Sequence, residues 1–299
     1  MKLNALIASA LLGLAALVQA QNTGSVTQTQ SIPKESAVYS LSQEIMGSLR
    51  DAAAGSDILI LGEVHGTREV PAVAAALLTP LSQLGYQMLA LEIPMAQRDA
   101  ILAWAKGTTN GVPGFFANPS EDGRGNIELL TLIRTAVSPP FQWQLICFDE
   151  FTEGLATNTP SQAELIALGA KRDTAMASSL CEQYERQTTK TKVLAICGNL
   201  HARTANHAPP DSFFKMLWPS FASTLKDKKP DWQVSSVNIV AHRGGYFNGG
   251  KVNQFGGQAI EQAKFKRLEE EDWNFQLDLP HATPATFLQA PSNEATAKP

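Results

Sequence analysis

The sequence predicts a single α/β domain: a mostly parallel central sheet flanked by helices on both faces. Two observations carry this. Short apolar runs at Asp57 to Leu61, Met88 to Ile93, Gln144 to Phe148, Val193 to Cys197 and Val234 to Ala241 alternate with longer helical patterns. The first four runs are nearly continuous in Ile, Leu, Val, Ala, Met and Cys, as strands buried on both faces of a parallel sheet require.

The first twenty residues read as an export signal. Lys2 provides the positive start, Ala5 to Val18 the apolar stretch and Val18-Gln19-Ala20 the small-residue cleavage site. That stretch falls short of the roughly 20 apolar residues that span a bilayer. The expectation is a periplasmic or secreted protein with no membrane span. Residues 21–36 are rich in Ser, Thr and Gln and read as a mobile linker, residues 37–284 as the folded domain and 285–299 as a flexible tail.

Composition narrows the partners. The formal net charge is −4, or −5 once Lys2 leaves with the signal, which disfavours nucleic acid and anionic membranes. A 44% hydrophobic content supports a large core. A small-molecule substrate or ligand is the expected partner. Cys147, Cys181 and Cys197 make an odd count within apolar or helical runs, so buried free thiols are expected rather than a disulfide.

The helical patterns fall at about 37–54, 68–84, 95–106, 125–136, 160–187 and 212–226. Thr159-Pro160-Ser161-Gln162 forms a capping box at the start of the fifth. The run at Val234 is interrupted by Ser235, Ser236 and Asn238, which places it nearer a sheet edge. Asn274 to Leu279 alternates as a further strand, and the charged run Lys264 to Asp272 reads as a solvated helix end.

In open α/β sheets ligands bind beyond the carboxyl ends of the strands. There the sequence places Gly62-Glu63-Val64-His65-Gly66, then Glu92, Asp149-Glu150, Gly198-Asn199-Leu200-His201 and His242-Arg243-Gly244-Gly245. Five polar strand ends together point to a site. Glu63 and His65 are two apart and can face one cavity. Glu92 is a carboxylate within an apolar run, costly unless paired, hydrogen-bonded or metal-bound. Taken alone, Arg172 and Asp173 read as an ordinary helix surface pair, and His207 and His281 as loop residues. There is no Gly-x-Ser-x-Gly elbow, His-Glu-x-x-His helix or Gly-x-x-x-x-Gly-Lys loop, which lowers serine hydrolysis and nucleotide binding.

Four motifs occur in order: Gly-Glu-x-His-Gly, Leu-Glu-x-Pro, Arg-Asp-x-x-Met-Ala and Gly-Asn-x-His-Ala. Together, over roughly residues 57 to 245, they resemble the superfamily of erythromycin esterases, ChaN-like haem-binding proteins and Tiki/TraB-type proteins, nearest its exported ChaN-like branch. The resemblance implies one cleft with Glu63, His65, Glu92 and His201 at its core and Arg172 and Asp173 in support. The leading expectation is a hydrolase of a small ester, lactone or amide. His65 or Glu63 would activate water, Glu92 would orient a histidine, and His201 or Arg172 would stabilise the oxyanion. Glu63, His65, Glu92 and His201 could instead hold a divalent metal that activates the water. The alternative is a non-catalytic binder of haem or metal, with the imidazoles and the Tyr246-Phe247 loop available to haem.

Overall fold

The computed structural model describes residues 40–117, 122–149, 162–205, 218–269 and 272–288. The signal, the linker, the capping box before Gln162, and His207 lie outside the described residues.

The sheet has seven strands in the order β3-β2-β4-β1-β5-β9-β8, where β1 is Ile58–Glu63, β2 Tyr86–Pro94, β3 Gln144–Asp149, β4 Lys192–Gly198, β5 Val234–Ala241, β8 Lys264–Arg267 and β9 Phe275–Leu279. All pairings are parallel except β8 with β9. Central β1 is buried at every position, so its side chains on both faces need apolar cover.

Two hydrophobic clusters supply that cover. On one face Leu59, Leu61, Leu89 and Leu91 pack with helices α1 (Gln43–Ala54), α2 (Glu69–Gln83), α3 (Arg98–Ala105) and α5 (Ile127–Val137). Between α3 and α5 lies the short α4 (Gly114–Ala117). On the other face Ile58, Ile60, Met88 and Ala90 meet Met176, Ala177 and Leu180 of α6 (Gln162–Glu185) and Phe221, Ala222 and Leu225 of α7 (Phe221–Lys228). Ser42 and Asn126 cap α1 and α5 by accepting the amide protons of Ile45 and Leu129. The three cysteines are buried and free. Among the described residues no helix is long and apolar enough to cross a membrane.

Three local expectations change. Strand β5 lies between β1 and β9 rather than near an edge, and just before β9 the Asn274 side chain accepts the Ser236 amide proton at 2.9 Å. The charged run holds strand β8, not a helix end. An edge strand needs only one apolar contact, here Phe265 stacked on Phe275 at 5.5 Å, while its lysines face solvent. The chain also stays engaged past residue 284. The Ala285 amide donates to Gly66 O at 2.8 Å and the Thr286 amide to Glu128 Oε2 at 3.0 Å.

A hairpin of β6 (Gly245–Asn248) and β7 (Lys251–Gln254) turns through Gly249 and Gly250, both with positive φ. It packs against the start of the site. A Cβ on Gly66 (φ +78°) would lie 1.9 Å from Phe247 O, and one on Gly123 (φ +87°) 2.5 Å from the same oxygen. Gly66→Ala is therefore expected to destabilise the protein by more than about 2 kcal/mol, since left-handed backbone and a main-chain clash add. Chemical denaturation measures this; an unchanged midpoint would contradict the packing.

Candidate active site

The carboxyl ends of β1, β2, β3 and β4, the loop before α5 and one stripe of α6 converge on a single buried cluster. Glu63 and Gly198 are register partners on β1 and β4. Beyond them the chain turns so that His65 and His201 come together. The two glycines permit this. A Cβ on Gly198 would stand 3.0 Å from His65 Nε2 and 3.2 Å from His201 Cδ2, and one on Gly62 2.8 Å from Ala202 Cβ. Glu92 sits where the β2–β3 register shifts between Leu91 and Pro94, an irregularity that can re-aim a side chain. Arg172 and Asp173 open the buried stripe of α6 that continues through Met176, Ala177 and Leu180.

Each imidazole has its own carboxylate. His65 Nδ1 is 2.9 Å from Glu63 Oε1, and His201 Nδ1 is 2.5 Å from Asp173 Oδ1. The other ring nitrogens point toward Glu92, with His65 Nε2 3.6 Å from its Oε2 and His201 Nε2 3.8 Å from its Oε1. Glu92 Oε2 accepts the Gly198 amide proton at 2.7 Å. Its Oε1 accepts from Arg172 Nη2 at 2.7 Å and Arg124 Nη1 at 3.0 Å.

Behind Glu92 lies a charge network. Asp149 Oδ2 accepts from Arg124 Nη1 and Arg172 Nη2, each at 2.9 Å, and its Oδ1 accepts from Arg172 Nε at 3.1 Å. Asp122 Oδ2 accepts from Arg124 Nε at 2.8 Å. Asp149, Asp173, Arg124 and Glu92 are all at least nine-tenths buried, while the His65 side chain keeps 16% of its surface.

Electrostatics divide these groups. Burial opposes the Glu92 charge, but His201 and the Arg124 and Arg172 guanidiniums outweigh it and hold the carboxyl well below the usual range. Asp149 is likewise lowered against its burial, by Arg172 and then Arg124. Both are fixed anions, so neither can serve as a general acid. Burial dominates at Asp173 and raises it, His201 and Arg172 only partly offsetting. For His65 burial alone would lower the value, but Glu92 and Glu63 more than compensate and raise it above 6.5.

The structure brings together all six residues singled out from the sequence: Glu63, His65, Glu92, Arg172, Asp173 and His201. Glu63 hydrogen-bonds to His65 and Asp173 to His201, whereas Glu92 is engaged by guanidinium and amide donors and hydrogen-bonds to neither ring. His242 sits at the same sheet edge but in separate company, 2.9 Å from Asp278 and 2.7 Å from Gln258 O. His281 packs against Gly244 instead. Arg124 and Asp122 were missed, and Asp149 was seen only as a polar strand end. Arg124 lies in the loop Asp122-Gly123-Arg124-Gly125, which has no periodicity to mark it.

These donors do not fit a divalent cation. Among the described residues no three His, Cys, Asp or Glu form a group that could hold a metal ion. The Glu92 carboxylate is ringed by two guanidiniums, His65 Nδ1 is committed to Glu63, and both His201 nitrogens have partners.

No protein-family model and no curated protein matches the chain at the level of sequence. Solved structures do match. A mutant of the erythromycin esterase EreC in its open conformation aligns with TM-score 0.60 at 10% identity, over 85% of this chain and 97% of that one. A succinoglycan biosynthesis protein aligns with TM-score 0.56 at 8% identity, over 96% and 99%. ChaN of Campylobacter jejuni, described with cofacially bound haem, gives TM-score 0.43 at 12% identity over 79% and 90%, a likeness too loose to argue from. The chain shares the α/β fold of the first two of these structures.

Proposed function

We propose that this chain is an exported hydrolase of a small ester, lactone or amide, in which His65 activates water as general base. One observation supports this above others: His65 Nδ1 is tied to Glu63 at 2.9 Å, while Nε2 makes no hydrogen bond and lies 3.6 Å from its nearest carboxylate. A proton on Nδ1, donated to Glu63, leaves the Nε2 lone pair free to take a proton from water. The carboxylate stabilises the imidazolium that results. Export rests on the basic, apolar and small-residue pattern of residues 1–20.

A haem or metal carrier has less support. Apart from His65 Nε2, the ring nitrogens and carboxylates of the cluster are already engaged with one another, with arginine or with a backbone amide.

The purified protein, assayed in chelator against a panel of esters, lactones and amides, is expected to turn over at least one class and to lose that turnover on His65→Ala. Absence of turnover throughout, or turnover that requires added metal, would overturn the reading.

A further inference from the structure

Both imidazoles lie beside Glu92, His201 Nε2 being 3.8 Å from its Oε1, but their nearest neighbours on that side are of opposite charge. His65 Nε2 faces a carboxylate oxygen of Glu92 at 3.6 Å. His201 Nε2 faces Arg172 Nη1 at 3.1 Å. A guanidinium carries only donors and is not deprotonated in proteins. The His201 nitrogen facing it must therefore present a lone pair, because an N–H there would meet another N–H head on. The remaining ring proton lies on Nδ1, within the 2.5 Å hydrogen bond to Asp173 Oδ1. The other Asp173 oxygen is buried without a hydrogen-bond partner, so the carboxylate is committed to His201.

Arg172 is held rigidly enough to impose this choice. Its Nε and Nη2 grip both Asp149 oxygens, Nη2 also reaches Glu92, and Nη1 is left for His201. A bidentate fork of this kind fixes the guanidinium plane. Because Arg172 and Arg124 touch Glu92 directly, that carboxylate keeps cationic partners whether or not His201 carries charge.

We propose that Arg172 is a positioning residue that locks His201 as the neutral tautomer protonated on Nδ1, leaving His65 as the single imidazole able to exchange a proton with the cleft. The inference deepens the hydrolase reading by removing His201 from the candidate bases and from the candidate cationic oxyanion donors. In this geometry the line Asp173, His201, Arg172 is one hydrogen-bonded chain that holds Nη1 in place. Environments that push two neighbouring groups toward different protonation states commonly assign separate roles to them.

The test is the long-range proton–nitrogen NMR spectrum of the full chain, labelled with nitrogen-15 and read without substrate. His201 is expected to show a protonated Nδ1 with a strongly deshielded proton and an unprotonated Nε2. Arg172→Lys, which keeps a cationic donor, is expected to retain that pattern, and Arg172→Met to move proton density onto Nε2. A wild-type spectrum with His201 protonated on Nε2, or on both nitrogens, would overturn the proposal without any variant needing to fold. So would an unchanged pattern in a folded Arg172→Met protein. Because no turnover is involved, these results are separate from the success or failure of the ester panel.

Discussion

Replacing His65 with alanine is expected to lower kcat by about 10²–10⁴-fold, the range a positioned general base contributes. The fold should survive. His65 is among the most exposed members of the cluster, and Glu63, its partner, keeps some solvent access. Of the two imidazoles only His65 leaves a ring nitrogen without a hydrogen-bonded partner. The loss should fall on kcat more than KM, because the proton is accepted in the transition state rather than on binding. Steady-state kinetics on the best substrate of the panel would measure it, with circular dichroism confirming the fold. A loss below about tenfold would leave general-base catalysis by His65 without support.

The second large effect concerns stability. Asp149→Ala is expected to destabilise the protein by about 3–5 kcal/mol, the cost of breaking a buried ion pair from one side. Asp149 accepts three hydrogen bonds from two buried guanidiniums, and its removal leaves Arg124 and Arg172 competing for Glu92. The intact network need not stabilise the fold by so much, because desolvating five charges offsets their attraction. The penalty comes from leaving cations uncompensated. Asp149→Asn keeps the shape and some acceptor capacity and should fall between. A shift of the denaturation midpoint with unchanged slope would identify the effect as stability proper. The same network sets an acid limit. Glu92 and Asp149 have folded values below their ordinary 4.5 and 3.8, so their contribution is complete above those values and is lost as pH falls toward the folded ones.

Much of this molecule is legible along the chain because it is written in local patterns. The four apolar runs become four adjacent parallel strands, with β3 at the sheet edge, and their carboxyl ends carry Glu63, Glu92 and the two glycine–histidine motifs. Glu92 announced itself as a carboxylate where apolar side chains should be. What escaped depends on contacts distant in sequence. Nothing near Arg124 signals that its guanidinium will join Glu92, Asp149 and Asp122, since the loop carrying it has neither apolar periodicity nor a motif. The partner of each histidine was also hidden. Glu63 and His65 are two residues apart, but Asp173 reaches His201 only because α6 packs its buried stripe across the sheet. Strand β8 was misread because an edge strand with Lys264, Lys266 and Arg267 looks like a solvated charge run. The Asn248-Gly249-Gly250 turn is an ordinary hairpin signal, legible in principle.

The proposed role of His65 as proton acceptor, under the joint influence of Glu92 and Glu63, is tested most directly by the pH dependence of kcat/KM. His65 is held above its ordinary 6.5, and the reactive form is the deprotonated one, so activity should rise with pH along a limb centred above 6.5. Glu63→Gln removes one of the charges that raise it, so that limb should move toward lower pH while its plateau falls. A limb centred below 6.5, or one that stays in place in Glu63→Gln, would contradict the account.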